Sequence, residues 1–117
     1  MRHASVLVVD DDAAIARLVR LALRASGFDA VTASNGAEAL KRLDDRAIDL
    51  VVLDLEMPVM GGSEFYRRLR AGGSRIPVVI LSAYGAERAR AELGADAAVQ
   101  KPFEPSDLVA VLGRLLT

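Results

Sequence analysis

The chain has no cysteine, no tryptophan, one histidine and only five phenylalanine or tyrosine residues in 117 positions. Without cysteine there is neither a disulfide framework nor a thiolate metal centre, and nothing points to an oxidising compartment. With aromatics at 4% and hydrophobic residues at 52%, aliphatic side chains must fill the core, which suits a parallel sheet covered by helices. No apolar run approaches the roughly 20 residues that span a bilayer. The short basic opening runs straight toward Asp10, with neither the length nor the cleavage site of a signal peptide, so no membrane partner and a cytoplasmic location are expected. A formal charge of −1 argues against a nucleic-acid-binding domain built on electrostatic attraction, although it leaves room for local basic patches. The one histidine, His3, precedes the first apolar run and reads as solvent-exposed rather than as a phosphohistidine.

What the chain does contain is a regular alternation of apolar runs and helical patterns that fits one domain over residues 1–117. Residues 5–9 are short, β-branched and unbroken by polar residues, as in a strand buried on both faces. Ile15, Leu18, Val19, Ala22 and Leu23 then repeat at helical spacing, with Asp12 as candidate cap and Ser26-Gly27 as terminator. Residues 28–33 form a second predicted strand, and Asn35-Gly36 the turn into a helix carrying Ala39, Leu40 and Leu43. Residues 49–53 form a third strand, leading to Asp54. Gly61 and Gly62 precede a helix with Phe65 and Leu69. Pro77 opens a fourth strand that stops at Ser82, and residues 86–93 form a short, arginine-rich helix ended by Gly94. Residues 97–100 make a weak fifth strand before Lys101-Pro102, and Pro105 fits the first turn of a last helix. Five strand–helix units in strict alternation indicate a parallel α/β sheet with right-handed crossovers. The arginines at 17, 20, 24, 67, 68 and 70 lie opposite apolar stripes and read as solvated helix faces.

In such a sheet the residues just past the strand ends gather on one edge, where ligands bind. Four of the five strands end in a reactive polar residue: Asp10 and Asp11 after the first, Asp54 after the third, Ser82 after the fourth and Lys101 after the fifth. Each alone reads as a cap, a turn former or a surface charge, but together they form a chemical set. Three carboxylates favour a hard cation such as Mg²⁺, which binds one or two carboxylates together with a substrate phosphate. Beside it an aspartate can accept a phosphoryl group, because phosphoryl transfer needs mainly positioning and charge neutralisation. Lys101 supplies a further positive charge and Ser82 a hydroxyl donor.

The segments "VLVVDDD", "VVLDLEMPVMGG", "VVILSAYG" and "QKPF" together resemble the receiver domain of two-component response regulators over essentially the whole chain. The resemblance implies a flavodoxin-like, doubly wound (βα)5 fold with strand order 2-1-3-4-5. It implies that Asp54 is the phosphoacceptor, served by a phosphohistidine on a sensor histidine kinase or histidine phosphotransfer protein. Asp10, Asp11, Asp54 and the backbone carbonyl of Glu56 would hold Mg²⁺. Ser82 would move toward the phosphoryl group, Lys101 would contact it, and the Lys101-Pro102 bond is expected to be cis. Such a domain catalyses only its own phosphorylation and dephosphorylation, and it controls an output partner or effector domain that the sequence does not name.

Two departures from the family pattern matter. Receivers often carry an aromatic residue two or three positions before the lysine, where this chain has Ala98 and Val99; Tyr84 is the substitute candidate for a mobile ring. The span from Ser82 to Lys101 is also nearly one turn, about 3 residues, shorter than in most receivers. The short helix belongs to the face through which many receivers dimerise or bind output partners, so a homodimer on phosphorylation is one mode. The Glu56 side chain is expected beside the path of attacking water, tuning dephosphorylation. Two other classes stand as alternatives: an interaction module that works without phosphorylation, and a phosphatase of the haloacid dehalogenase type using Asp10 and Asp12. The latter lacks the expected threonine or valine at Ala14 and the room for a cap domain.

Overall fold

The apolar runs become strands because their alternate residues have two faces to serve. The computed structural model describes residues 3–57 and 60–116; Pro58 and Val59 of the "DLEMPVMGG" segment and Thr117 at the chain's end lie outside the described residues. The element order is β1 (Ser5–Val9), α1 (Ala13–Ala25), β2 (Asp29–Ala33), α2 (Gly36–Asp45), β3 (Leu50–Asp54), α3 (Gly62–Ala71), β4 (Val78–Ser82), α4 (Ala86–Leu93), β5 (Ala97–Gln100) and α5 (Pro105–Leu115). The strands are parallel and pair in the order β2-β1-β3-β4-β5, the expected flavodoxin-like topology. On one face Val6, Val8, Leu50, Val52, Val79 and Leu81 pack with Val19 and Leu23 of α1 and Leu108 and Leu112 of α5. On the other, Leu7, Val9, Val51, Leu53, Val78 and Ile80 pack with Ala39 of α2 and Phe65 and Leu69 of α3. This period of two divides each strand between two aliphatic layers.

The ends of the elements follow from local hydrogen bonding. The Asp12 carboxylate accepts from the N–H groups of Ala14 and Ile15, capping α1 as expected, and Asn35 caps α2 by accepting from the Glu38 N–H. β2 begins at Asp29 rather than Phe28 because the Phe28 N–H is turned back to Leu23 O. β3 is one residue later than predicted, running through Asp54 itself.

Two sequence expectations are corrected. Leu18 is 51% exposed, since α1 meets the sheet through Ala16, Val19 and Leu23, leaving Leu18 on the helix flank. Arg70 does not belong to a solvated face. Its guanidinium donates to Tyr66 Oη and to the carbonyls of Ser74 and Ile76, lies 4.8 Å over the Tyr66 ring and pairs with Asp96. It thereby ties α3 to the start of β4, at the edge opposite the strand ends discussed below.

Gly62 shows how closely α3 approaches the end of β3. A Cβ there would lie 2.5 Å from Asp54 O and 2.8 Å from Leu55 Cα, contacts with backbone that no side-chain rotation relieves. Gly62→Ala is therefore expected to lower unfolding stability by about 1–3 kcal/mol and to shift the Asp54 amide resonance; an unchanged urea midpoint would rule out the close approach. No helix among the described residues is long and apolar enough to cross a membrane.

Candidate functional site

The parallel strands deliver their C-terminal ends to one edge, and the buried polar side chains among the described residues are found there: Asp10, Asp54 and Ser82, 2%, 1% and 2% exposed. Asp10 follows β1, Asp54 and Ser82 end β3 and β4, and Lys101 follows β5. The Asp10 backbone is fixed by its N–H donating to Ala33 O at 3.0 Å. Its Oδ1 accepts from the Asp12 N–H at 2.9 Å, and Asp54 Oδ1 accepts from the Glu56 N–H at 3.2 Å. The Lys101 N–H donates to Ser82 O, and the Lys101-Pro102 peptide is cis. From that anchor the Lys101 ammonium reaches both carboxylates, 3.3 Å from Asp10 Oδ2 and 3.2 Å from Asp54 Oδ1.

Two buried carboxylates share one ammonium, and their protonation reflects that imbalance. Burial, and then the neighbouring Asp10 charge, push the Asp54 carboxyl from 3.8 up to about 7 against the opposing pull of Lys101 and the Glu56 N–H. For Lys101 burial works against the charged form, but Asp10 and Asp54 outweigh it and hold the ammonium above its ordinary range. Lys101 is therefore charged at neutral pH, whereas Asp54 holds its proton more tightly than an ordinary aspartate, and a second cation beside the two acids would offset the imbalance.

The donors for such a cation are in place. Asp11 is exposed, yet oxygens of Asp10, Asp11 and Asp54 lie within 4.8 Å of one another, and an all-oxygen set suits a hard divalent ion. Asp12 stands apart from this set because its carboxylate caps α1.

The side chains of Glu56 and Ser82 meet each other. The Ser82 hydroxyl lies 3.1 Å from Glu56 Oε1 and 2.8 Å from Tyr84 O as donor, and it accepts from the Tyr84 N–H. Glu56 Oε1 also accepts from the Ala83 N–H at 2.7 Å. The Tyr84 ring is 82% exposed, while Val99 and Ala98 pack into opposite apolar layers, leaving no aromatic ring at those two positions. His3 is exposed, as predicted. Gln100 went unremarked in the sequence. Its amide donates to Ala83 O and accepts from the Ala86 N–H, partners 17 and 14 residues away that no local spacing connects to it.

Known proteins share this arrangement. The family model for the response regulator receiver domain matches residues 6–113. The alkaline phosphatase synthesis transcriptional regulatory protein PhoP of Bacillus subtilis is 39% identical over 117 residues, covering 97% of this chain and 49% of that protein. The transcriptional regulatory protein PrrA of Mycobacterium tuberculosis is 42% identical over 114 residues, covering 95% of this chain and 49% of that protein. The chain thus spans about half the length of these curated relatives. Among solved structures, chemotaxis protein CheY4 of Vibrio cholerae superposes with a TM-score of 0.89 at 31% identity, covering 97% of this chain and 98% of that one. The response regulator TrrA of Thermotoga maritima, in complex with Mg(2+)-BeF, gives 0.86 at 34% identity, covering 96% and 98%. With this fold, this strand order and this acid-lined sheet edge, the chain belongs to the response regulator receiver domains of two-component systems, whose family function is phosphorylation-based switching.

Proposed function

We propose that this chain is a receiver switch in which Asp54 accepts a phosphoryl group from a phosphohistidine of a sensor histidine kinase or histidine phosphotransfer protein. One observation carries the reading: a buried carboxylate at a strand end lies 3.2 Å from a lysine ammonium and within 4.8 Å of two further acids. An Asp54 oxygen attacks phosphorus, the O–P bond forms as the donor's P–N bond breaks, and the electron pair returns to the imidazole nitrogen. Lys101 stays beside the attacked group and offsets its charge, and the Ser82 hydroxyl donates to a phosphoryl oxygen. Asp10, Asp11, Asp54 and the Glu56 carbonyl would hold Mg²⁺, which when bound neutralises charge on the phosphoryl oxygens. The names of PhoP and PrrA describe transcriptional regulators, which supports an output domain or partner controlled by this one. With a charge of −1, the chain offers nucleic acid no net electrostatic attraction, and its place of action is the cytoplasm.

Intact mass tests this after incubation with acetyl phosphate, with Mg²⁺ or with EDTA, for wild type and Asp54→Asn. One added phosphoryl group is expected only for wild type with Mg²⁺. Phosphoryl uptake by Asp54→Asn, or none by wild type, would sink the reading.

A further inference from the structure

We infer that Glu56 and Gln100 form a two-sided clamp on the Ala83 peptide that holds Ser82 in its resting position and opens when Asp54 is phosphorylated. The inference rests on the phosphoacceptor reading of Asp54 and adds the route by which the signal leaves the site. Ala83 is held at both ends of its hydrogen-bonding capacity by side chains from elsewhere in the chain. Its N–H donates to Glu56 Oε1 at 2.7 Å, and its carbonyl accepts from Gln100 Nε2. The same Gln100 amide oxygen accepts from the Ala86 N–H at 3.1 Å, the first residue of α4. That N–H belongs to the first turn of α4, where no intrahelical carbonyl is available to accept it. Two side chains on β5 and the loop after β3 thus fix the whole approach to α4.

Ser82 joins the clamp to the site. Its one hydroxyl proton is shared between Glu56 Oε1 and Tyr84 O. A phosphoryl group on Asp54 brings about two negative charges and three strong acceptor oxygens to the end of β3, two residues from Glu56. Two effects then act in the same direction. The phosphoryl oxygens compete for the Ser82 hydroxyl, and the added charge repels the Glu56 carboxylate that holds Ala83. Once Ser82 and Glu56 separate, the Ala83 N–H loses its acceptor, and Gln100 alone cannot retain residues 83–86. The exposed Tyr84 ring and the start of α4 move with them. The clamp is made of hydrogen bonds, and it serves a chain whose positions 98 and 99 are Ala and Val rather than a ring able to swing.

Gln100 is exposed and touches none of the acids, so Gln100→Ala separates the clamp from the phosphoryl chemistry. The experiment combines intact mass with amide NMR and amide exchange of Ala83, on the full chain with and without acetyl phosphate and Mg²⁺. In wild type, phosphorylation is expected to shift the Ala83 resonance and speed its exchange about tenfold or more. Before any donor is added, Gln100→Ala and Glu56→Gln should already place Ala83 partway along the line joining the two wild-type positions. Gln100→Ala should also need about three- to tenfold less beryllofluoride for half-saturation. A residue of merely structural importance would alter stability without moving Ala83 along that line. Mass gain with an unmoved Ala83, or a Gln100→Ala spectrum with Ala83 at the wild-type resting position, overturns the clamp alone. Absence of mass gain in wild type overturns the phosphoacceptor reading and the clamp's trigger with it.

Discussion

Replacing Asp54 with asparagine is expected to make the metal-free protein more stable at and above neutral pH, even as it abolishes phosphoryl uptake. The folded carboxyl is held at about 7 against an ordinary 3.8, so between those values the folded chain binds a proton that the unfolded chain has released. The stability this contributes is fully present below the unfolded value and is lost as pH rises through the folded one. At ~1.4 kcal/mol per unit, the loss on reaching about pH 8 is on the order of 4 kcal/mol. Asparagine does not titrate, so urea unfolding in EDTA should give diverging curves, with the variant gaining on wild type as pH rises and a plateau above about pH 8. Mg²⁺ should close the gap by binding the ionised set in wild type, adding about 3 kcal/mol at a hundred times its Kd. It should do less near pH 5, where protons compete, and little in the variant. Parallel pH curves for the two proteins would show that the site does not strain Asp54 in this way.

The features legible in the sequence were those set by local chemistry. Strands announced themselves as short aliphatic runs, and their order followed from the family resemblance. Convergence of Asp10, Asp54, Ser82 and Lys101 needed only the rule that parallel strands end on one side. Asp12 was readable as a cap because capping involves neighbours two or three positions on. What stayed hidden depends on distant partners. Arg70 had the spacing of a solvated arginine, but its role is decided by Ser74, Ile76, Asp96 and the Tyr66 ring. Leu18 fitted an apolar stripe whose orientation is chosen by the sheet, not by the helix. The hydrogen bonds of the Glu56 side chain with Ser82 and Ala83 likewise join residues 26 and 27 positions apart. Gln100 carries no motif at all; its meaning comes from a loop that folds back across the end of β4.

The counterpart to the Asp54 result concerns the one ammonium between the two buried acids. Lys101→Met should destabilise the metal-free protein at about pH 8 by ~3–5 kcal/mol, the usual cost of leaving a buried charge without its partner. Asp10 and Asp54 would then face each other with Lys101 gone from 3.3 and 3.2 Å, and only two responses remain. Asp54 can take up a proton, so its carboxyl should rise further above about 7, and the destabilisation should shrink as pH falls toward about 5. Alternatively Mg²⁺ can supply the missing charge, so its stabilising effect should be larger in Lys101→Met than in wild type. Adding Asp54→Asn to Lys101→Met removes one of the repelling charges and should recover much of the loss, a non-additivity measurable in a double-mutant cycle. Additive effects, or a deficit that does not change between pH 5 and pH 8, roughly the range over which Asp54 titrates, would mean that Lys101 contributes packing rather than charge. The same cycle distinguishes the two parts of its role. Stability restored by Asp54→Asn reports the resting ion pair, whereas slow acetyl phosphate uptake by Lys101→Met with Mg²⁺ present reports the charge that the phosphoryl group still needs.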